Sequence, residues 1–202
     1  MKPILFYDTE TTGLPNWSAP SDDPSQPHVT QLAAELVDED SGEVLDSMDM
    51  LIQPDGWTIP DDVAELTGIT TERAAEFGVP LAQAMEAFLK LWAQVERRVG
   101  HNETFDARMI RIELMRLYGD ERADEWKAGA SFCTCSNSTK LVNLPPTEKM
   151  LAAGKKNAKP PTLAEAYEFF TGQRLEGAHN AMVDVAGCRA VYFGILRHRE
   201  AA

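Results

Sequence analysis

The feature that most constrains this chain is a change of hydrophobic period along its length. Near the N-terminus the apolar residues come in strand-length runs, and from residue 81 they recur at helical spacing. Pro3–Tyr7 reads as a short buried strand that delivers Asp8 and Glu10 at its end. Gln31–Val37 and Val44–Gln53 read as two more strands, and the segment Asp38-Glu39-Asp40-Ser41-Gly42 between them suits a hairpin turn. Leu81–Arg98 places Leu81, Met85, Phe88, Leu91 and Val95 on one stripe, which predicts an amphipathic helix. Val99–His101 reads as a brief strand before a second helix that buries Phe105, Met109 and Ile112. A third helix is expected over 162–170 with Thr162 as its N-cap, and a last one over Asn180–Arg197. Leu14–His28 is a loop by composition, and the Pro- and Lys-rich stretch 144–161 reads as a mobile connection. With no internal repeat and no linker, one α/β domain over residues 1–202 is the expectation.

Composition narrows the function classes. Hydrophobic residues at 44% and charged residues at 25% are those of an ordinary soluble protein. No apolar run has the length of a transmembrane helix, and the N-terminus lacks a signal-peptide pattern, so a cytoplasmic protein with no membrane partner is expected. Cys133, Cys135 and Cys188 are too few for a disulfide scaffold and read as reduced structural thiols. The formal charge of −13 opposes a nucleic-acid partner, because phosphate binding generally needs a basic surface. Two considerations offset it. Carboxylates that hold divalent ions are partly neutralised when loaded, and Lys140, Lys149, Lys155, Lys156, Lys159 and Arg174 gather in a stretch with few acids. That stretch is either a phosphate-facing patch or a solvated loop.

Three short blocks carry the chemistry. In Asp8-Thr9-Glu10, strand alternation points both carboxylates to one face, where they can share divalent cations. Alone, such a triplet is commonplace in an acidic chain. His101-Asn102-Glu103-Thr104-Phe105-Asp106 opens a helix, and an isolated Asp there would merely suit the helix dipole. His179-Asn180-Ala181-Met182-Val183-Asp184 also opens a helix, with His179 just before it and Asp184 in its second turn, so the two can flank one cavity.

Taken together and in this order, Phe6-Tyr7-Asp8-Thr9-Glu10-Thr11-Thr12-Gly13-Leu14 and the two later blocks resemble the DEDDh exonuclease superfamily. That superfamily includes proofreading epsilon subunits of bacterial DNA polymerases and ribonuclease T. Gln53-Pro54, Ile59-Pro60 and Leu66-Thr67-Gly68-Ile69-Thr70 resemble the segment after its third strand. The resemblance implies a ribonuclease H-like fold with a mixed five-stranded sheet flanked by helices. It implies that Asp8, Glu10, Asp106 and Asp184 hold two Mg²⁺ or Mn²⁺ ions and that His179 is the general base. It implies contacts to the terminal nucleotide from Thr9, Thr11, Thr12 and Gly13, and a wedge against the last base from Leu14. Phe105 is either a base-stacking residue or core, and Asn102 and Asn180 either orient site groups or cap helices.

The expected activity is 3′→5′ removal of mononucleotides from single-stranded or frayed 3′ ends, DNA before RNA. An exoribonuclease is the alternative within enzymes, and a non-catalytic, polymerase-associated binding module the alternative outside them. No stretch resembles a polymerase-binding tail, which favours free-standing end trimming, although a polymerase partner remains open. The loop over 15–27 either shapes the substrate entrance or is an inert insertion.

Overall fold

A computed structural model describes residues 2–201. Its centre is a mixed five-stranded sheet of order β3-β2-β1-β4-β5. β1 (Pro3–Thr11), β2 (Val29–Asp38) and β3 (Val44–Leu51) form an antiparallel meander. β4 (Arg97–Gly100) joins the other edge of β1 in parallel, and β5 (Ala130–Cys133) joins β4 in parallel. Between β3 and β4 lie α1 (Asp61–Thr67), α2 (Thr71–Phe77) and α3 (Leu81–Trp92). After β4 come α4 (Thr104–Tyr118) and α5 (Asp120–Ala128), and after β5 come α6 (Thr134–Val142), α7 (Glu148–Ala152), α8 (Leu163–Thr171) and α9 (Ala181–Glu200).

Strand alternation sorts β1 between two cores. Leu5 and Tyr7 face Met85, Phe88, Met109 and Trp126 from α3, α4 and α5. Ile4 and Phe6 face the other way, onto Val185, Cys188 and Tyr192 of α9. Fully burying side chains of this size contributes roughly 1.5–3 kcal/mol each, so both faces of β1 are fixed. A one-residue slip would exchange the two faces. The same parity continues past the apolar run: Asp8 and Glu10 follow Ile4 and Phe6 towards α9, while Thr9 follows Tyr7 towards α4.

The first predicted helix ends earlier than its pattern suggested. α3 stops at Trp92, and Arg97 and Arg98 belong to β4 instead of to a helix running to Arg98. Val95 continues the apolar stripe because it packs on the α3–α5 core from the turn that follows. The arginines are accommodated in a strand by partners outside it. Arg98 lies over the Trp126 ring at 3.9 Å, donates from Nε to Glu103 at 2.8 Å and from Nη1 to the Trp126 carbonyl at 2.7 Å. Arg97 donates to Glu39 at 2.5 Å and to the Tyr192 hydroxyl at 2.6 Å. The stretch 144–161 contains α7 and is closed by a bridge between Leu144 and Lys159. Among the described residues no helix is long and apolar enough to cross a membrane.

Candidate active site

The C-terminal end of β1 opens into a cleft of about 860 Å³ between α1, α4 and the start of α9. Every sequence-predicted site residue lines it: Asp8, Thr9, Glu10, Thr11, Thr12, Gly13, Leu14, Asn102, Phe105, Asp106, His179 and Asp184. Asp8 and Glu10 on β1 and Asp184 on α9 bring one carboxylate oxygen each within 4.8 Å of one another. Asp184 is the fourth residue of α9, in its first turn and not the second, where the helix dipole favours an anion. Two bonds set that helix end: Asn180 caps it by accepting from the Val183 amide at 3.2 Å, and Gln31 on β2 accepts the Ala181 amide at 3.1 Å.

His179 lies exposed just ahead of the cap with φ at 67°, in the left-handed region. Its backbone amide donates to Asp184 Oδ2 at 3.1 Å, while Asp184 Oδ1 is buried with no hydrogen-bond partner among the described residues. A buried carboxylate oxygen without a donor is costly, and a cation is the partner that fits it. Asp106 approaches from the other side. It is 3% exposed and accepts from the Thr9 amide at 3.0 Å and the Thr9 hydroxyl at 2.7 Å. Thr9 thus spends its donors on locking α4 to β1.

The carboxylates repel one another in so confined a place. Burial raises the Asp8 carboxyl well above the usual range, with Asp106, Asp184 and Glu10 adding to the rise. Burial and then Asp184 push Glu10 up to about 7. Burial also raises Asp106, against the lowering effect of the Thr9 bonds, and raises Asp184, against that of His179.

A stability prediction follows with a definite sign. Carboxyls whose folded pKa lies above the unfolded one bind more protons when folded, so stability grows as pH falls from about 7 towards 4.5. His28, lowered to about 4 mainly by burial, acts oppositely: its contribution is lost as pH falls below 6.5. Divalent ions remove only the carboxylate contribution. The chelated protein is therefore expected to gain in Tm, relative to the Mg²⁺-loaded one, between pH 7.5 and 5.5. Parallel melting curves across that range would contradict a carboxylate site of this kind.

The rim of the cleft is apolar. Leu14 is 83% exposed, and the same cleft is lined by Pro60, at the N-cap of α1, and by Val63 and Leu66 of α1, the last 57% exposed. Sequence reasoning quoted the Leu66-Thr67-Gly68 segment but missed this wall, as well as His101 and Leu163 on the far side. No sequence signal marked it, since the exposure of Leu66 and the short helix that carries it are seen only in the structure. Phe105 serves both readings, since it packs on the α3–α5 core and lines the cleft. Asn102, with φ at 60°, makes the turn into α4, and its carbonyl accepts from the Phe105 amide at 2.9 Å. The 15–27 loop is fastened to α4. Arg108 donates to Ser21 at 2.7 Å and to the Ala19 carbonyl at 2.6 Å, and Arg116 donates to the Gln26 carbonyl at 2.6 Å.

A sequence model of the RNase_T family, described as exonuclease, matches residues 5–192. The chain belongs to the RNase_T exonuclease family. That family lies within the DEDD 3′→5′ exonuclease superfamily. Among solved structures, E. coli exonuclease I in complex with a dT13 oligonucleotide superposes with a TM-score of 0.74 at 20% identity, over 100% of this chain and 42% of that one. The complex of the same enzyme with a dA16 oligonucleotide gives 0.73 at 19% over the same shares. Exonuclease I from Methylocaldum szegediense gives 0.70 at 21%, over 100% of this chain and 41% of that one. The chain thus spans about two fifths of the length of these structures, and the likeness carries the ribonuclease H-like fold. No curated protein matches the chain by sequence.

Proposed function

We propose that residues 1–202 form one exonuclease domain that removes mononucleotides from single-stranded 3′ ends, DNA in preference to RNA, using two divalent cations, Mg²⁺ or Mn²⁺. The observation that carries this reading is the convergence of Asp8, Glu10 and Asp184 within 4.8 Å around an unpartnered Asp184 oxygen, at the floor of a cleft with an exposed apolar rim. An all-oxygen donor set suits a hard cation, and Asp8, Glu10, Asp106 and Asp184 are the residues that would hold it. Bound there, the ions supply charge neutralisation at the phosphodiester and activation of water. His179, exposed at the cleft mouth, accepts the proton of the attacking water. Thr9 holds Asp106 in place, and Leu14 with Leu66 grips the terminal base between apolar surfaces. Thr11, Thr12 and Gly13 line the path of the terminal sugar and phosphate. Exonuclease I structures that hold deoxyoligonucleotides support the DNA side of the reading. The three free thiols accord with a cytoplasmic setting.

The test is a time course on matched DNA and RNA oligomers labelled at the 5′ end, with Mg²⁺ or with chelator. A metal-dependent ladder shortening from the 3′ end, faster on DNA, is expected. A faster RNA ladder would make the enzyme an exoribonuclease. Binding of both polymers without any ladder would leave a non-catalytic module and end the enzymatic reading.

A further inference from the structure

The chain carries −13 overall, yet residues 140–159 hold five lysines against Glu148 alone, a local +4 that leaves −17 on the remainder. The fold turns most of this stretch into an arm. The Lys159 amide donates to the Leu144 carbonyl at 3.1 Å and closes its base. Lys159 itself is paired with Glu165 at 2.6 Å, and Glu165 completes the capping box that starts α8. Two residues on, the Pro161 carbonyl meets His101 Nε2 at 3.1 Å, and both His101 and Leu163 line the catalytic cleft. The segment at the base of the arm therefore runs into the lining of the cleft at His101 and Leu163.

Within the arm, Thr147 caps α7 and Gly154, with φ at 74°, ends it in a tight turn where the Lys155 amide returns to the Met150 carbonyl at 2.9 Å. That turn presents Lys155 and Lys156 together, next to Lys149 on the helix. These three and Lys140 are exposed, and none has an acidic partner among the described residues. Elsewhere in the fold Lys2 pairs with Glu39 and Lys90 with Glu86, while Lys127 stands exposed on α5, outside the arm, with no acidic partner among the described residues.

We propose that this arm, through Lys149, Lys155 and Lys156, holds the phosphates of the strand upstream of the nucleotide being removed. The idea rests on the exonuclease reading for its direction, because a 3′ end seated in the cleft must lead its 5′ portion out over a wall. It explains how so acidic a chain keeps hold of a polyanion: the local +4 of residues 140–159 attracts where the remainder, at −17, repels.

The experiment compares the wild type with K149Q/K155Q/K156Q. One arm measures anisotropy of a labelled dT20 whose 3′ linkages are phosphorothioates, in Mg²⁺ across a salt series. The other measures hydrolysis of the p-nitrophenyl ester of thymidine 5′-monophosphate, which has no upstream strand. Each phosphate contact on a single strand contributes about 0.7 to the slope of log affinity against log salt. Losing three contacts should flatten that slope by about 2, so between 50 and 200 mM salt the wild type loses about 15-fold more affinity than the variant. Ester hydrolysis should be unchanged. An unaltered salt slope would overturn the proposal whatever the ester result, and an equal loss of ester hydrolysis would show that the lysines act on the chemistry or the fold instead. A wild type that binds dT20 with the full slope but hydrolyses nothing would sink the exonuclease reading while leaving the arm as a strand-binding surface.

Discussion

Asp8→Asn is expected to abolish cleavage and, in the absence of metal, to raise the melting temperature. Both effects have one cause. Asp8 stands at the centre of the acidic group, with burial and three neighbouring carboxylates opposing its ionisation. When the site is loaded, that charge is needed. Losing a ligand that fixes the ion forfeits several kcal/mol of transition-state stabilisation, and at about 1.4 kcal/mol per decade the rate should fall by at least ~10³-fold. When the site is empty, the same charge only repels. Asn keeps the shape of the side chain and removes the charge, and a gain of even ~1 kcal/mol raises Tm by about 2–4 °C in a chain of this size. The measurement is a pair of melts, with chelator and with Mg²⁺, alongside single-turnover cleavage. Asn should melt higher than the wild type with chelator and lose most of the Mg²⁺-induced rise. A variant that melts lower under both conditions would mean that Asp8 is a structural hydrogen-bonding group and not a ligand.

His179→Asn is expected to slow cleavage by roughly 10²–10⁴-fold, the range for loss of a general base, while leaving the Mg²⁺-induced rise in Tm intact. Asn is the substitution of choice because His179 has φ at 67°, a conformation that Asn tolerates and most residues do not. The bond from this residue to Asp184 comes from the backbone amide, so it survives the replacement. Only the imidazole is taken away. Alanine would mix the loss of the base with backbone strain. If the Asn variant keeps near wild-type single-turnover rates from pH 6 to 8, proton abstraction belongs to another group. If it loses the Mg²⁺ response, the imidazole is a ligand.

Much of this site is legible in residues alone because it sits where regular structure begins or ends. Asp8 and Glu10 take their common face from strand alternation set by Ile4 and Phe6, and the His179-to-Asp184 spacing is set by a helix start with Asn180 as its cap. What escapes the sequence is what depends on distant partners. β4 carries Arg97 and Arg98, a poor strand pattern, and is stabilised by Glu103 five residues on and by Glu39 and the Trp126 ring, the last two outside any local window. β5 has four residues, too few for a period, and exists because β4 offers it an edge. The pairing of Asp106 with Thr9 bridges 97 positions, so the spacing of the motif could not reveal that Thr9 is a fastener. The α1 wall is invisible for another reason. Val63 packs against the small cluster of Ile59, Ile69 and Ala74 while also lining the cleft beside the exposed Leu66, a division that a seven-residue helix is too short to display as a period.

The acids of the site enter from β1, α4 and α9, so the first and the last are separated by nearly the whole chain, from position 8 to position 184. Translation delivers them in that order. A chain synthesised only as far as α8 has two carboxylates on a strand and a third on α4, but neither Asp184 nor His179. The acidic group closes only when α9 docks against β1, so the last of these acids to be synthesised is the one that completes it.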